Sequence, residues 1–189
     1  MKKIVLSIMG SFLIAGAFAQ TTFKNDKFHS QLKFDITHTG VSTVSGSFTD
    51  FEATVTAAKP DFSDAVFQLT AKTASISTGI EPRDNHLKTD QFFDVAAYPT
   101  LSFTSTSVNK ISDGKYTLNG NLTMHGVTKP VVLDLWYRGT ITNPMSKKEV
   151  SGFRATGKIN RSEFGIGTKF PGNSIGEEVT ITADGEFSK

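Results

Sequence analysis

The feature that most constrains this chain is alternation. Apolar side chains recur at every second position in segment after segment, the period of a strand with one face buried and the other in water. Leu32, Phe34 and Ile36 alternate with Lys33, Asp35 and Thr37. Phe51, Ala53, Val55 and Ala57 do the same against Glu52, Thr54 and Thr56. Ala65, Phe67, Leu69 and Ala71 face away from Gln68, Thr70 and Lys72. Leu101 and Phe103, then Tyr116, Leu118, Leu122 and Met124, then Val131, Leu133, Leu135 and Tyr137 continue the series. Phe153, Ala155 and Ile159 precede a last segment in which Val179 and Ile181 oppose Glu178, Thr180 and Thr182. Roughly eight strands of an all-β domain follow. They fit a sandwich or a closed up-and-down barrel, and only closure removes the edges. A membrane barrel needs an apolar outer face with aromatic girdles. Here the second face is rich in Thr, Ser, Lys and Asp, so the apolar face points inward.

The punctuation supports antiparallel neighbours. Asp113-Gly114 between two alternating runs reads as a hairpin, His125-Gly126 as a turn, and Asn143-Pro144 as a break. Gly120 follows Asn119, but alternation runs straight through it, so it reads as a strand glycine at a bend or a close approach. One stretch departs from the pattern, and a short helix is expected around residues 83–93. Pro82 would lie in its first turn, with Asp84 or Asn85 as cap. Tyr98-Pro99 then returns the chain to an extended path.

The first residues belong to another kind of segment. Lys2 and Lys3 precede an apolar run over residues 4–17, and Ala17-Phe18-Ala19 forms a small-residue cleavage site. Residues 1–19 therefore read as a signal peptide that is removed, and residues 20–189 as a single barrel domain in a periplasmic or secreted protein. Without cysteine there is neither a lipoprotein anchor nor a disulfide, so a buried core must supply stability. Loss of Lys2 and Lys3 takes 20 basic residues to 18, equal to the 18 acidic ones. That balance, with no basic run, argues against nucleic acid as a partner. The mature chain has no integral membrane span, and its oligomeric state is open, a homodimer included.

Chemistry finds little foothold. His29, His38, His86 and His125 form no metal-binding pair, and no serine lies in G-x-S-x-G. Glu177 and Glu178 point to opposite faces of a strand and cannot act as a dyad. The polar segment 160–165 reads as a strand end and loop, and the glycines at 165, 167, 172 and 176 as a flexible loop at the barrel's mouth. No catalytic residue, no metal and no required cofactor are expected. Phenylalanine is the unusual residue. There are 16, two of them (Phe12 and Phe18) in the leader, against one Trp and three Tyr. Phe brings apolar area without a polar handle. It suits a lumen filled by side chains as well as one occupied by a ligand.

Five segments taken in order resemble the YceI-like family. They are HSQLKFDITHTGVSTVSGSFTDFEATV at 29–55, RDNHLKTDQFFDVAAYPTLSF at 83–103, LNGNLTMHGVTKPVVLDL at 118–135, GFRATGKINRSEFGIG at 152–167 and IGEEVTITADGEF at 175–187. The resemblance implies an eight-stranded antiparallel lipocalin-like barrel, exported, carrying a polyisoprenoid or related amphiphile such as an isoprenoid quinone. The expected partner is then a long-chain apolar lipid, and the expected role is binding and transport. Inward strand positions give the expected lining: Phe34, Ile36, Phe51, Val55, Phe67, Leu69 and Leu101, with Phe103, Leu122, Leu133, Leu135, Phe153, Val179 and Ile181. Phe92, Phe93, Phe164 and Phe170 are expected to gate an end, and polar groups at the mouth to select the head group. Arg83, Asp84, His86 and Leu87 read as a clamp between helix and barrel, Asp84 capping and Arg83 pairing. His125, Gly126, Thr128 and Pro130 read as turn chemistry. The alternatives are a filled barrel acting as an interaction or stress-response module, and an enzyme dependent on a quinone or lipid.

Overall fold

The computed structural model describes residues 19–189; all but the last residue of the expected leader lies outside them. The strand segments are β1 (Thr21–Asn25), β2 (Gln31–His38), β3 (Ser42–Phe48), β4 (Phe51–Ala57), β5 (Val66–Lys72) and β6 (Ile76–Ser77). After a helix, α1 (Glu81–Leu87), follow β7 (Thr100–Ser112), β8 (Lys115–Met124), β9 (Val127–Thr142), β10 (Glu149–Asn160) and β11 (Ile175–Ser188). All pairings are antiparallel.

These segments make eight wall strands, because three of the eight are broken. β1 pairs with β4, Lys24 opposite Thr54, and β2 with β3, Leu32 opposite Phe48. Thus β1–β2 is one strand bent at residues 26–30, and β3–β4 one strand bent at Thr49 and Asp50. β5 and β6 are likewise one strand, interrupted by a helical turn at Thr73–Ser75. The ring closes where β11 meets β2 along its length and β1 at its end, Phe187 opposite Asn25. Closure excludes the sandwich. Eight strands leave an interior about wide enough for side chains or one slender ligand.

The two ends differ. At one, the loop 58–65 turns Phe62 into the barrel, where it is 5% exposed. Its ring meets Phe23, Tyr137 and Phe153 at 5.5, 5.0 and 4.9 Å. The Tyr116 hydroxyl donates to the Asp61 carbonyl at 2.6 Å and fastens the loop. This end is sealed. The other end is roofed by α1 and the segment 165–174.

The helix spans Glu81–Leu87 instead of 83–93, and residues 88–97 form turns. Pro82 does sit in its first turn, but the cap position is Ile80 and no side chain caps it. Asp84 looks backward instead, accepting from the Thr78 amide at 2.7 Å and the Thr78 hydroxyl at 2.5 Å. Arg83 Nε donates to the same hydroxyl, and Nη2 to the Thr78 carbonyl. The clamp therefore exists, but Arg83 joins it through Thr78 and not through an ion pair.

Candidate functional site

Inside the barrel, alternation delivers an apolar lumen. An inner cavity of about 140 Å³ is lined by Phe51, Phe67, Leu69, Leu101, Phe103, Leu122, Leu133, Leu135 and Phe153 among others. An outer cavity of about 350 Å³, lined by Ile36 and Val179, lies beneath the roof. Phe34, Phe48, Met124, Ile159 and Ile181 line both, so the two cavities adjoin along the barrel axis. The outer volume alone is in the range of small-molecule sites. A lumen filled by side chains predicts no such space.

Two expected positions lie elsewhere. Val55 is wholly buried and packs in the core at the sealed end, where the lumen has already ended. Phe164 is 1% exposed and belongs to the roof's own core, holding β10 to the loop after it. The other three gate positions do meet the outer cavity. Phe92 and Phe170 stack at 5.0 Å, with the His86 ring edge-on to Phe92 at 5.0 Å. Phe93 packs edge-on against Phe48 at 5.6 Å.

Glycine shapes the inner wall. A side chain on Gly120 would overlap the Phe103 ring, one on Gly46 the Phe34 ring, and one on Gly157 the Leu133 side chain. Each glycine lets a large lining side chain lie flat on its neighbour and leaves the centre open. At the β8–β9 turn, His125 and Gly126 have φ of 52° and 73°, the signature of a type I′ hairpin. Thr128 meets the Thr123 hydroxyl across that hairpin at 2.8 Å. His125 Nδ1 lies 3.1 Å from the Phe164 carbonyl, tying the turn to the roof.

The most demanding polar group near the lumen is Arg161, which lines the outer cavity and is 2% exposed. Nε donates to the Gly176 carbonyl, Nη1 to those of Ile166 and Gly167, and Nη2 to those of Phe170 and Ile175. Nη2 also meets Glu177 Oε1 at 2.8 Å. The loop expected to be flexible is thus cross-braced by one guanidinium. Composition gave no hint of this, because the five carbonyls are main chain. Glu178 pairs instead with Lys158 at 2.7 Å, on the other face from Glu177, as alternation requires.

Outside the barrel, Asp26, His29 and Glu186 bring one ligand-type atom each within 4.8 Å of one another. A search for local histidine pairs cannot find such a group, since Glu186 comes from β11. The His29–Asp26 hydrogen bond of 2.9 Å accounts for two of its members.

A family model for the YceI-like domain matches residues 23–187. The chain belongs to the YceI-like family. Proteins named YceI from Salmonella agona and Salmonella arizonae are each 36% identical over 193 residues, covering all of both chains. The crystal structure of a Campylobacter jejuni YceI protein has a TM-score of 0.74 at 33% identity, over 82% of this chain and 90% of that one. Burkholderia cenocepacia BcnA has a TM-score of 0.75 at 22% identity, over 87% and 99%. A polyisoprenoid-binding domain from Saccharophagus degradans has a TM-score of 0.65 at 15% identity, over 88% and 97%. The family's barrel is therefore this chain's barrel. Among the described residues, no helix is long and apolar enough to cross a membrane.

Proposed function

We propose that this protein is a lipid-binding module that sequesters a long-chain polyisoprenoid, or an isoprenoid quinone, in its lumen, and that it is exported after loss of residues 1–19. The observation that carries this reading is the pair of adjoining apolar cavities inside the barrel, sealed at the Phe62 end and roofed at the other. The fold shared with a polyisoprenoid-binding domain supports it. An apolar cavity of this kind stays dry and favours an apolar guest.

The mechanism is physical. Each buried CH₂ contributes about 0.8 kcal/mol, so a tail of ~15 carbons gains roughly 12 kcal/mol before the costs of ordering. Discrimination among tails should be weak, at about 1–3 kcal/mol per methylene. No reaction is assigned to the lumen. Its most buried cation, Arg161, is committed to carbonyls and Glu177, which leaves it to brace the roof.

The test is uptake of a long-chain prenol by the purified protein, followed by native mass spectrometry. A one-to-one complex is expected. Ala155→Trp, which fills the inner cavity from its wall, should weaken uptake at least tenfold while the circular dichroism spectrum is retained. Failure of the unaltered protein to take up any prenol, quinone or acyl chain would refute the proposal.

A further inference from the structure

A third cavity of about 300 Å³ lies at the bend between β1–β2 and β3–β4. It is lined by the consecutive residues 30–33, with Phe48 and Phe51, and all six of these also line the inner lumen. Along a strand, consecutive side chains point to opposite faces. Leu32 is an inward position and Gln31 and Lys33 are outward ones, so the inner lumen and the third cavity approach each other from the two faces of the wall at this bend.

The backbone explains the gap. The β1–β4 ladder ends at Lys24 opposite Thr54, and the β2–β3 ladder resumes at Leu32 opposite Phe48. Between them the two strands bond elsewhere. The Asp26 amide donates to Glu186, the Thr49 amide to Ser75, and Asp50 accepts from the Lys72 amide. The last tie across the pair is a side-chain one, the Ala53 amide donating to Asn25 Oδ1 at 2.8 Å. The wall strands are pulled apart where each has found another partner.

Ser30 stands at the boundary, lining both spaces. It is only 9% exposed, and its Oγ has no hydrogen-bond partner among the described residues. Such a hydroxyl calls for one. The charged groups around the gap are Lys27, Lys33 and Asp50. Lys27 is paired with Glu52 at 3.5 Å and Asp50 with Lys72 at 2.8 Å, leaving Lys33 as the free cation of the three among the described residues. At the roofed mouth the arginines and His86 are engaged, Arg161 with carbonyls, Arg83 with Thr78 and His86 with Gln91, and the other polar residues there, Thr37, His38 and Ser174, include no arginine or lysine.

We infer that this gap is a lateral port in which the polar end of the bound amphiphile sits, its tail running through the inner cavity toward the roof. The inference rests on the carrier reading above and places the head group at the wall, not at the mouth. Ser30 and Lys33 both donate, so the head group is an oxygen acceptor, a chemistry shared by a quinone carbonyl and a phosphate.

Two prenyl probes of equal length test this, one ending in a carbonyl and one in a phosphate, each with a diazirine beside the head. They are bound to the unaltered protein, photolysed, and mapped by peptide mass spectrometry. Label in residues 27–33 and 47–51 is expected, and the probe that gives it names the head group. Label chiefly in 81–93 and 165–175 overturns the port. Ser30→Ala should weaken the probe that labels the port about 5- to 10-fold and leave a headless hydrocarbon of equal length unchanged. Equal effects on both, or none, overturn the role of Ser30. Binding of no probe and no hydrocarbon would instead refute the carrier reading, and the port with it.

Discussion

Arg161 holds five carbonyls that no other side chain among the described residues bonds. Arg161→Met is therefore expected to destabilise the fold by about 3–5 kcal/mol, read by urea denaturation; a loss below about 1 kcal/mol would contradict the bracing role. Gly120 works by absence. Gly120→Ala should cost about 1–3 kcal/mol by crowding the Phe103 ring and the Thr104 carbonyl, and a Phe103→Ala background should remove only the ring's share of that cost. His29 offers a titration. Its hydrogen bond to Asp26 raises the imidazole above its ordinary value, while the same contact lowers Asp26. A raised value means that the folded state binds the proton more tightly. The contribution is thus complete below the unfolded-state value and vanishes as pH climbs past the folded one. An NMR titration should place the His29 midpoint above that of a free histidine, and Asp26→Asn should bring it back. At this scale the sequence was informative about side chains that alternate. Nothing in it marked Arg161, whose partners are main chain, or Ser30, whose burial follows from a bend.

The roof depends on one small device. Burial alone would raise the Asp84 carboxyl, but hydrogen bonds from Thr78 hold it below the usual carboxylate range. Asp84→Ala should remove both bonds to Thr78 and loosen α1. Hydrogen exchange should then quicken in residues 78–93 while the β8–β9 ladder keeps its protection. Equal loosening of both would show that the roof and wall unfold together. The elements were largely legible because Leu32–Phe34–Ile36 or Leu133–Leu135 can satisfy burial in only one register. The breaks were not. Nothing in residues 26–30 or 49–50 announces that the Asp26 amide bonds β11 and the Thr49 amide the Thr73–Ser75 turn. The helix was placed late because Pro82 and Asp84 fit a cap nearby, whereas Asp84 is engaged with Thr78, before the helix.

For the whole molecule, the direction of the apolar face could be read from the pattern; alternation fits a sandwich as well as a barrel, so closure rested on the resemblance, and the cavities inside the lumen could not be read at all. Whether 14 phenylalanines after the leader fill a barrel or line one depends on how flat each ring lies, and strand glycines such as Gly46 and Gly120 decide that. A bound lipid should also stabilise the fold. Stripping it would lower Tm, and restoring it at 100 times Kd would return about 2.7 kcal/mol. The most direct test of the central claim is native mass spectrometry of the mature protein, purified without detergent from the cells that make it, followed by organic extraction. The account predicts a discrete added mass that extracts as a long-chain isoprenoid. The bare polypeptide mass, unchanged after exposure to polyisoprenoids, would contradict it.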